Sequence, residues 1–121
     1  MLRPFALAFH IPGTLAADIN IRWTAPFDCT LRHVSAVASN DSAALLIVGP
    51  STDTDGYLKS TTIGDSNVPS EFERGDFDGD EVSGDEVRIA DGDIVVFTLD
   101  HDGDGGTAAQ NVTIVAVFDE G

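Results

Sequence analysis

Large apolar residues recur at every second position in this chain, and that spacing limits the folds open to it. The runs 5–11 and 19–25 alternate large apolar residues with small or polar ones. Successive side chains of a β-strand point to opposite faces, so each run places its apolar set on one face of a half-buried strand. No segment shows sustained helical periodicity. The pattern predicts an all-β domain.

The two strongest strand signals lie near the C-terminus, at 93–100 and 111–118. Both are apolar on both faces over part of their length, which predicts central strands of two packed sheets. A shorter strand in "EVRIADGD" leads into them through the turn Asp91-Gly92. We expect the core to include the following residues: Trp23, Leu46, Val96, Leu99, Ile114 and Val115.

The middle of the chain is less regular. Between Leu31 and Val34 the apolar positions of the run 29–39 change face, which indicates a β-bulge. The turn-rich "SNDS" separates this run from 44–49, and the two segments are predicted to form a hairpin. Residues 50–85 are rich in Gly, Asp, Ser and Thr but contain regularly spaced apolar residues. We interpret them as an ordered loop excursion with one short strand around 71–77.

Together these segments give seven or eight short strands separated by turn signals. Such spacing is typical of an antiparallel β-sandwich, and we predict one jelly-roll-like domain spanning 1–121.

Charge excludes several function classes. Six Lys and Arg stand against 21 Asp and Glu, a formal net charge of −15. Nucleic acids and anionic membranes are bound through basic residues, so neither is an expected partner. The longest apolar run, 43–49, is also far shorter than the roughly 20 residues of a membrane helix. The excess of Asp and the single lysine are typical of a protein exposed to high salt, or serve only to keep the protein soluble.

The stretch "LDHDGDGGTAAQNV" resembles the start of a calcium loop. Asp100, Asp102 and Asp104 alternate with other residues and Gly105 follows. An EF-hand needs an acidic ligand at its twelfth position and flanking helices, whereas this chain has Asn111 there and predicted strands on both sides. The three aspartates remain candidate Ca²⁺ ligands, since this ion requires only converging oxygens. The alternative is a Gly-rich connection whose aspartates stay in water, with no cofactor bound.

Catalytic motifs are missing from the sequence. His10, His33 and His101 are scattered, and none has a Ser or Cys at a recognisable nucleophile spacing. No Gly-rich phosphate loop follows a strand and opens a helix. The single cysteine, Cys29, excludes an internal disulfide. We therefore expect a protein that is not an enzyme.

Three stretches in order, "PFDCTLRHVSAVAS", "DTDGYLKSTTIGDSNVPSEFERGDF" and "IADGDIVVFTLDHDGDGGTAAQNVTIVAVFDEG", carry a resemblance. They resemble small β-sandwich proteins of tailed bacteriophages and related viruses, which serve as capsid decoration (cement) or virion-surface proteins. The resemblance covers residues 26–121. It implies a structural protein of the capsid surface, made in the host cytoplasm, that binds the major capsid protein and itself as a homo-oligomer, with a trimer favoured.

Residues 1–9 are the predicted docking or subunit-swapping arm, because a terminal strand can add to a neighbour's open sheet edge. Its docking side chains would be Leu2, Phe5, Leu7 and Phe9. The alternative is that the segment is simply the first strand of its own domain. A second functional hypothesis is a calcium-assisted carbohydrate-binding or host-attachment module, for which Trp23 and Tyr57 are the candidate aromatic platforms.

Overall fold

A computed structural model describes residues 3–84 and 86–121 and shows two antiparallel sheets packed face to face. The strands are β1 (Pro4–Thr14), β2 (Ile19–Thr24), β3 (Cys29–Val37), β4 (Leu45–Pro50), β5 (Leu58–Thr62), β6 (Ser70–Glu73), β7 (Val87–Ile89), β8 (Ile94–Asp100) and β9 (Gln110–Glu120). The predicted antiparallel β-sandwich is confirmed. The strand that the sequence did not reveal is β5, because its largely polar sequence "LKSTT" shows no apolar alternation.

Sheet A has the order β1-β9-β3-β6, with the short β7 also paired to β3, and sheet B has the order β2-β8-β4-β5. The pairs are nested along the chain: β1 with β9, β2 with β8, β3 with β6, and β4 with β5. A long hairpin rolled up so that its strands alternate between two sheets gives this arrangement, which is a jelly roll. As predicted, β8 and β9 are central strands, one in each sheet.

The predicted hairpin between β3 and β4 is wrong, because these strands lie in different sheets. The connection after β3 does not turn back on itself. Its backbone instead bonds to other loops, with Ala38 N donating to Gly64 O (2.8 Å) and Ala43 N donating to Thr107 O (2.9 Å). Turn residues mark where a strand ends, but they do not show whether the chain stays in the same sheet.

The bulge predicted in β3 is confirmed. The pairing of β3 with β9 shifts register between Leu31 and His33, so that Arg32 is the extra residue. Its guanidinium donates to Asp119 Oδ2 at 2.7 Å and to Glu86 Oε2 at 3.2 Å. The bulge restores Leu31 and Val34 to the same inner face, where both are buried.

The core fills the space between the sheets with the inward side chains of every long strand. Its largest fully buried members include Phe97, Phe118, Leu46, Leu99 and Ile114. Among the expected core residues, Val96 is buried as well, whereas Trp23 and Val115 are only half-buried. Trp23 lies on an edge strand, and Val115 points to the outer face of sheet A because it alternates with Ile114 and Ala116. Within the described residues, no helix is long and apolar enough to cross a membrane.

Candidate functional site

The acidic residues are unevenly distributed over the sandwich. Only five of those that the structure describes lie in strands, and these are Glu71, Glu73, Asp100, Asp119 and Glu120. The others lie in turns and loops. The negative charge is therefore carried mostly by the connections, and the strands carry little of it.

The outer face of sheet A contains a region without carboxylates, which we call the carboxylate-free face. It has three rows across β1, β9 and β3, set by the strand register: Ala6, Val117 and His33; Ala8, Val115 and Ser35; His10, Thr113 and Val37. Each side chain is exposed or half-buried. Glu71 and Glu73 of β6 border it on one side, where Glu71 approaches His33 Nε2 at 3.6 Å. The face is dominated by small and β-branched side chains.

A second surface runs along the side of the sandwich where β1 and β2 are the edge strands, and we call it the apolar seam. Its members are large apolar side chains that pack on the core but remain partly exposed: Phe5, Leu7, Phe9, Ile11, Ile19, Ile21, Trp23 and Phe27. Phe5 bridges the two sheets, with ring centroids 6.0 Å from Trp23 and 5.1 Å from Phe118. These contacts close the gap between the sheets with half-exposed aromatic rings.

The structure thus places the predicted docking side chains in the seam. Phe5, Leu7 and Phe9 point inward from β1 and are half-buried, while Leu2 lies outside the described residues. The β1 strand pairs along its length with β9 of its own domain. Docking through these residues stays a prediction, and any partner would meet them from the side of the sandwich.

The aspartates of the loop after β8 are only partly brought together. Asp100 and Asp102 lie with Asp18 and His101 in a group whose potential ligand atoms are all within 4.8 Å of one another. Asp104 is not in that group. It is exposed, adopts φ of +70°, and donates its backbone N–H to Asp102 Oδ1 at 3.1 Å.

Asp18 was not anticipated from the sequence, and pairing between strands explains its position. The register of β2 on β8 places Ile19 opposite Leu99, so the preceding Asp18 comes beside Asp100 and His101. Its Oδ1 lies 2.7 Å from His101 Nδ1 and accepts the His101 backbone N–H at 3.1 Å. No local motif signals this contact across 83 residues of chain.

The electrostatics of this group favour a histidine–aspartate ion pair. The hydrogen bonds from His101 lower the pKa of Asp18, and the bond to Asp18, aided by Asp102 and Asp100, raises the pKa of His101. A metal ion bound through His101 Nδ1 would replace the proton shared with Asp18, whereas binding through Nε2 would leave that hydrogen bond in place. Both shifts favour the charged forms of Asp18 and His101.

Asp100 and Asp102 also stabilise the turn in which they lie. Asp100 Oδ1 accepts the Gly103 N–H at 3.1 Å, in addition to the bond from Asp104 to Asp102. Gly103 has φ of +60°, and a Cβ on it would lie 2.1 Å from Ala43 O. Glycine is required there by both conformation and space. These contacts give Asp100 and Asp102 a structural role in the turn.

Two shallow cavities of about 210 and 310 Å³ adjoin one another at the opposite end of the sandwich and share Arg88 and Asp93. Tyr57 lines the smaller cavity and Cys29 lines the larger one. Burial raises the pKa of Tyr57 to about 12 and that of Cys29 to about 11. Neither group is ionised at neutral pH, so neither is prepared to act as a nucleophile there.

No family model, curated protein or solved structure matches this chain.

Proposed function

We propose that the protein is a non-enzymatic structural component of a virion, a capsid decoration protein that binds the major capsid protein and itself. The observation that carries this proposal is the carboxylate-free face on a chain of net charge −15. A strongly acidic protein can approach another acidic surface most closely where it carries no carboxylates, because like charges placed face to face cost on the order of several kcal/mol.

The capsid as the partner comes from the sequence resemblance, and the structural features are compatible with such a role. Decoration requires a stable domain with an extended contact surface and does not require a deep pocket. The carboxylate-free face is such a surface, and a jelly-roll sandwich supplies it on rigid strands. A location on the capsid surface in the virion follows from the same proposal.

The alternative of a carbohydrate-binding module receives less support from the aromatic residues. Sugar sites commonly present a flat aromatic face to the ring, and Trp23 and Tyr57 were the candidates. Trp23 packs against Phe5 and Phe118 in the apolar seam, and Tyr57 is 3% exposed. The Tyr57 ring is therefore closed to a ligand, and the Trp23 ring is only half-exposed.

Co-sedimentation with empty shells assembled from the major capsid protein of the same genome tests the proposal. The wild-type chain should pellet with the shells and stay in the supernatant without them. Val117→Glu places a carboxylate on β9, the central strand of the carboxylate-free face. It should weaken binding roughly tenfold or more, because a charge left unpaired in an interface costs about 1–3 kcal/mol or more.

Val68→Glu is the matched control. It adds the same charge at a loop position that is 69% exposed and lies outside the face, so its binding should equal that of the wild type. Circular dichroism would verify that both variants are folded. A wild-type chain that fails to pellet would refute capsid binding, and a Val117→Glu variant that pellets like the wild type would refute the assignment of the face.

A further inference from the structure

We infer that the free edge of β1 binds the β1 of a second copy, which gives a two-fold dimer with sheet A continued from one copy into the other. Among the described residues, β1 pairs only with β9, so its other edge is open over Pro4–Thr14. The inference deepens the self-association in the proposed function, and it is carried by the geometry of this strand.

The hydrogen-bond pattern shows which groups of β1 are free. Glu120 N donates to Arg3 O at 2.8 Å, and the pairing then continues from Pro4 opposite Asp119 to Ile11 opposite Val112. Antiparallel strands alternate bonded and non-bonded pairs, so the odd-numbered residues of β1 direct their N–H and C=O groups to β9. The even-numbered residues direct their N–H and C=O groups to the free edge of the sheet.

The β1 residues whose backbone groups point to the free edge are arranged symmetrically about Ala8. It consists of Pro4, Ala6, Ala8, His10 and Pro12. The two prolines have no N–H and stand four residues before and four residues after Ala8, so the edge offers three donors with a proline at each side. In an antiparallel pair with Ala8 opposite Ala8 of the second copy, Ala6 faces His10 and each proline faces a proline. All three donors of each copy are then used, and the pairing ends where the donors end.

The inward side chains match in the same register. Phe5 would lie opposite Ile11 of the second copy, and Leu7 opposite Phe9, so every cross-strand pair facing the seam is apolar. Aromatic and aliphatic pairs of this kind stabilise antiparallel sheets. The outward side chains Ala6 and Ala8 are small and exposed, which leaves room for the second strand.

Charge also favours this edge. Residues 3–17 contain no Asp or Glu, although the chain has 21 of them, and Arg3 and His10 are the only basic groups in that stretch. The opposite edge of sheet A is formed in part by β6, which carries Glu71 and Glu73. Two copies that each carry a charge of −15 therefore repel each other less when they meet at β1 than when they meet at β6. A two-fold contact is also closed, so it does not lead to fibres.

Sedimentation equilibrium of the purified full chain tests the inference. The wild type should be a dimer, and Ala8→Pro should be a monomer because it removes the central donor and places a ring at the two-fold axis. The substitution leaves the bonds to β9 intact, since the N–H of Ala8 points away from β9. Ala8→Thr is the matched control: it changes the side chain at the same position but keeps the N–H, and it should remain a dimer.

Cysteine cross-linking tests the register independently and does not require the proline variant to fold. In the proposed register the two Ala8 Cα atoms are about 5.5 Å apart, within the range of a disulfide. Ala8→Cys should therefore form a covalent dimer under mild oxidation. Ala6→Cys should not, because the two copies of residue 6 would be about 13 Å apart along the strands. The native Cys29 is 1% exposed and should stay unreacted in the wild type.

A monomeric wild type, or a trimer as the resemblance implies, would overturn the inference, as would equal cross-linking of Ala6→Cys and Ala8→Cys. If the wild type is a monomer, the remaining candidate for pairing with this edge is an extended segment of another protein. None of these measurements involves a capsid. Their outcome is thus independent of co-sedimentation, and Val117→Glu should remain a dimer while it loses the shell.

Discussion

Phe118 packs against residues of both edge strands, β1 and β2. Replacing it with alanine should strongly destabilise the domain. The ring is fully buried. It stacks on Phe5 at 5.1 Å with an interplanar angle of 13° and lies 4.8 Å from Trp23. It therefore connects central β9 to both edge strands.

Phe118→Ala removes the buried ring and leaves a cavity, for which losses of about 3–5 kcal/mol are typical. We expect the upper part of that range, because two aromatic contacts are lost together and each contributes roughly 0.5–1.5 kcal/mol beyond its buried area. For a domain of this length, a loss of this size should lower Tm by about 12–20 °C.

Urea unfolding at 25 °C, followed by circular dichroism, measures this loss. Phe118→Leu keeps most of the apolar volume and should cost less than about 1.5 kcal/mol. Val68→Ala, at a position that is 69% exposed, should stay within about 0.5 kcal/mol of the wild type. If Phe118→Ala is no more destabilising than Phe118→Leu, the ring does not join the two edge strands as argued.

Three further predictions concern charge. Replacing both Asp102 and Asp104 with Asn should leave Tm nearly unchanged with or without added Ca²⁺. If Ca²⁺ instead raises the Tm of the wild type by several degrees and has no such effect on the double variant, the loop is a metal site. The pKa of His101 is raised above its ordinary value of 6.5, so its stabilising effect is complete below that pH and is lost as pH rises through the raised pKa. The difference in Tm between wild type and His101→Gln should accordingly be larger at pH 5.5 than at pH 9, as thermal melts would measure, and an equal difference at both pH values would contradict the ion pair. Tm should also rise from low to molar salt, because screening relieves repulsion between carboxylates. Asp53 and Asp55 are such a pair, since their contact raises the pKa of Asp53. A flat or falling Tm in a salt series would count against this reasoning.

Local signals in the sequence predicted the strands well. Period-two alternation located β1 and β2, and runs apolar on both faces located the central strands β8 and β9. The change of apolar face between Leu31 and Val34 located the bulge, because side-chain direction along a strand depends only on the neighbouring residues. These features were predictable because they follow from backbone geometry within a few residues.

The same kind of signal failed where the outcome depends on distant parts of the chain. The turn between β3 and β4 reads like a hairpin, but the chain crosses there to the other sheet. Strand β5 has few apolar residues and exists because β4 offers it a partner. The aspartates of the β8–β9 loop suggested a set of three, whereas strand pairing adds Asp18 and the turn leaves Asp104 outside the group.

Alternation and composition already predict an antiparallel sandwich with a large negative charge, because both act residue by residue. The positions that lack this charge depend on how the strands pair. The carboxylate-free face exists because the register of β1, β9 and β3 aligns uncharged residues from strands that are far apart in sequence. The open edge of β1 exists because β1 is the last strand of sheet A, and strand order is set by long-range packing that no local pattern encodes.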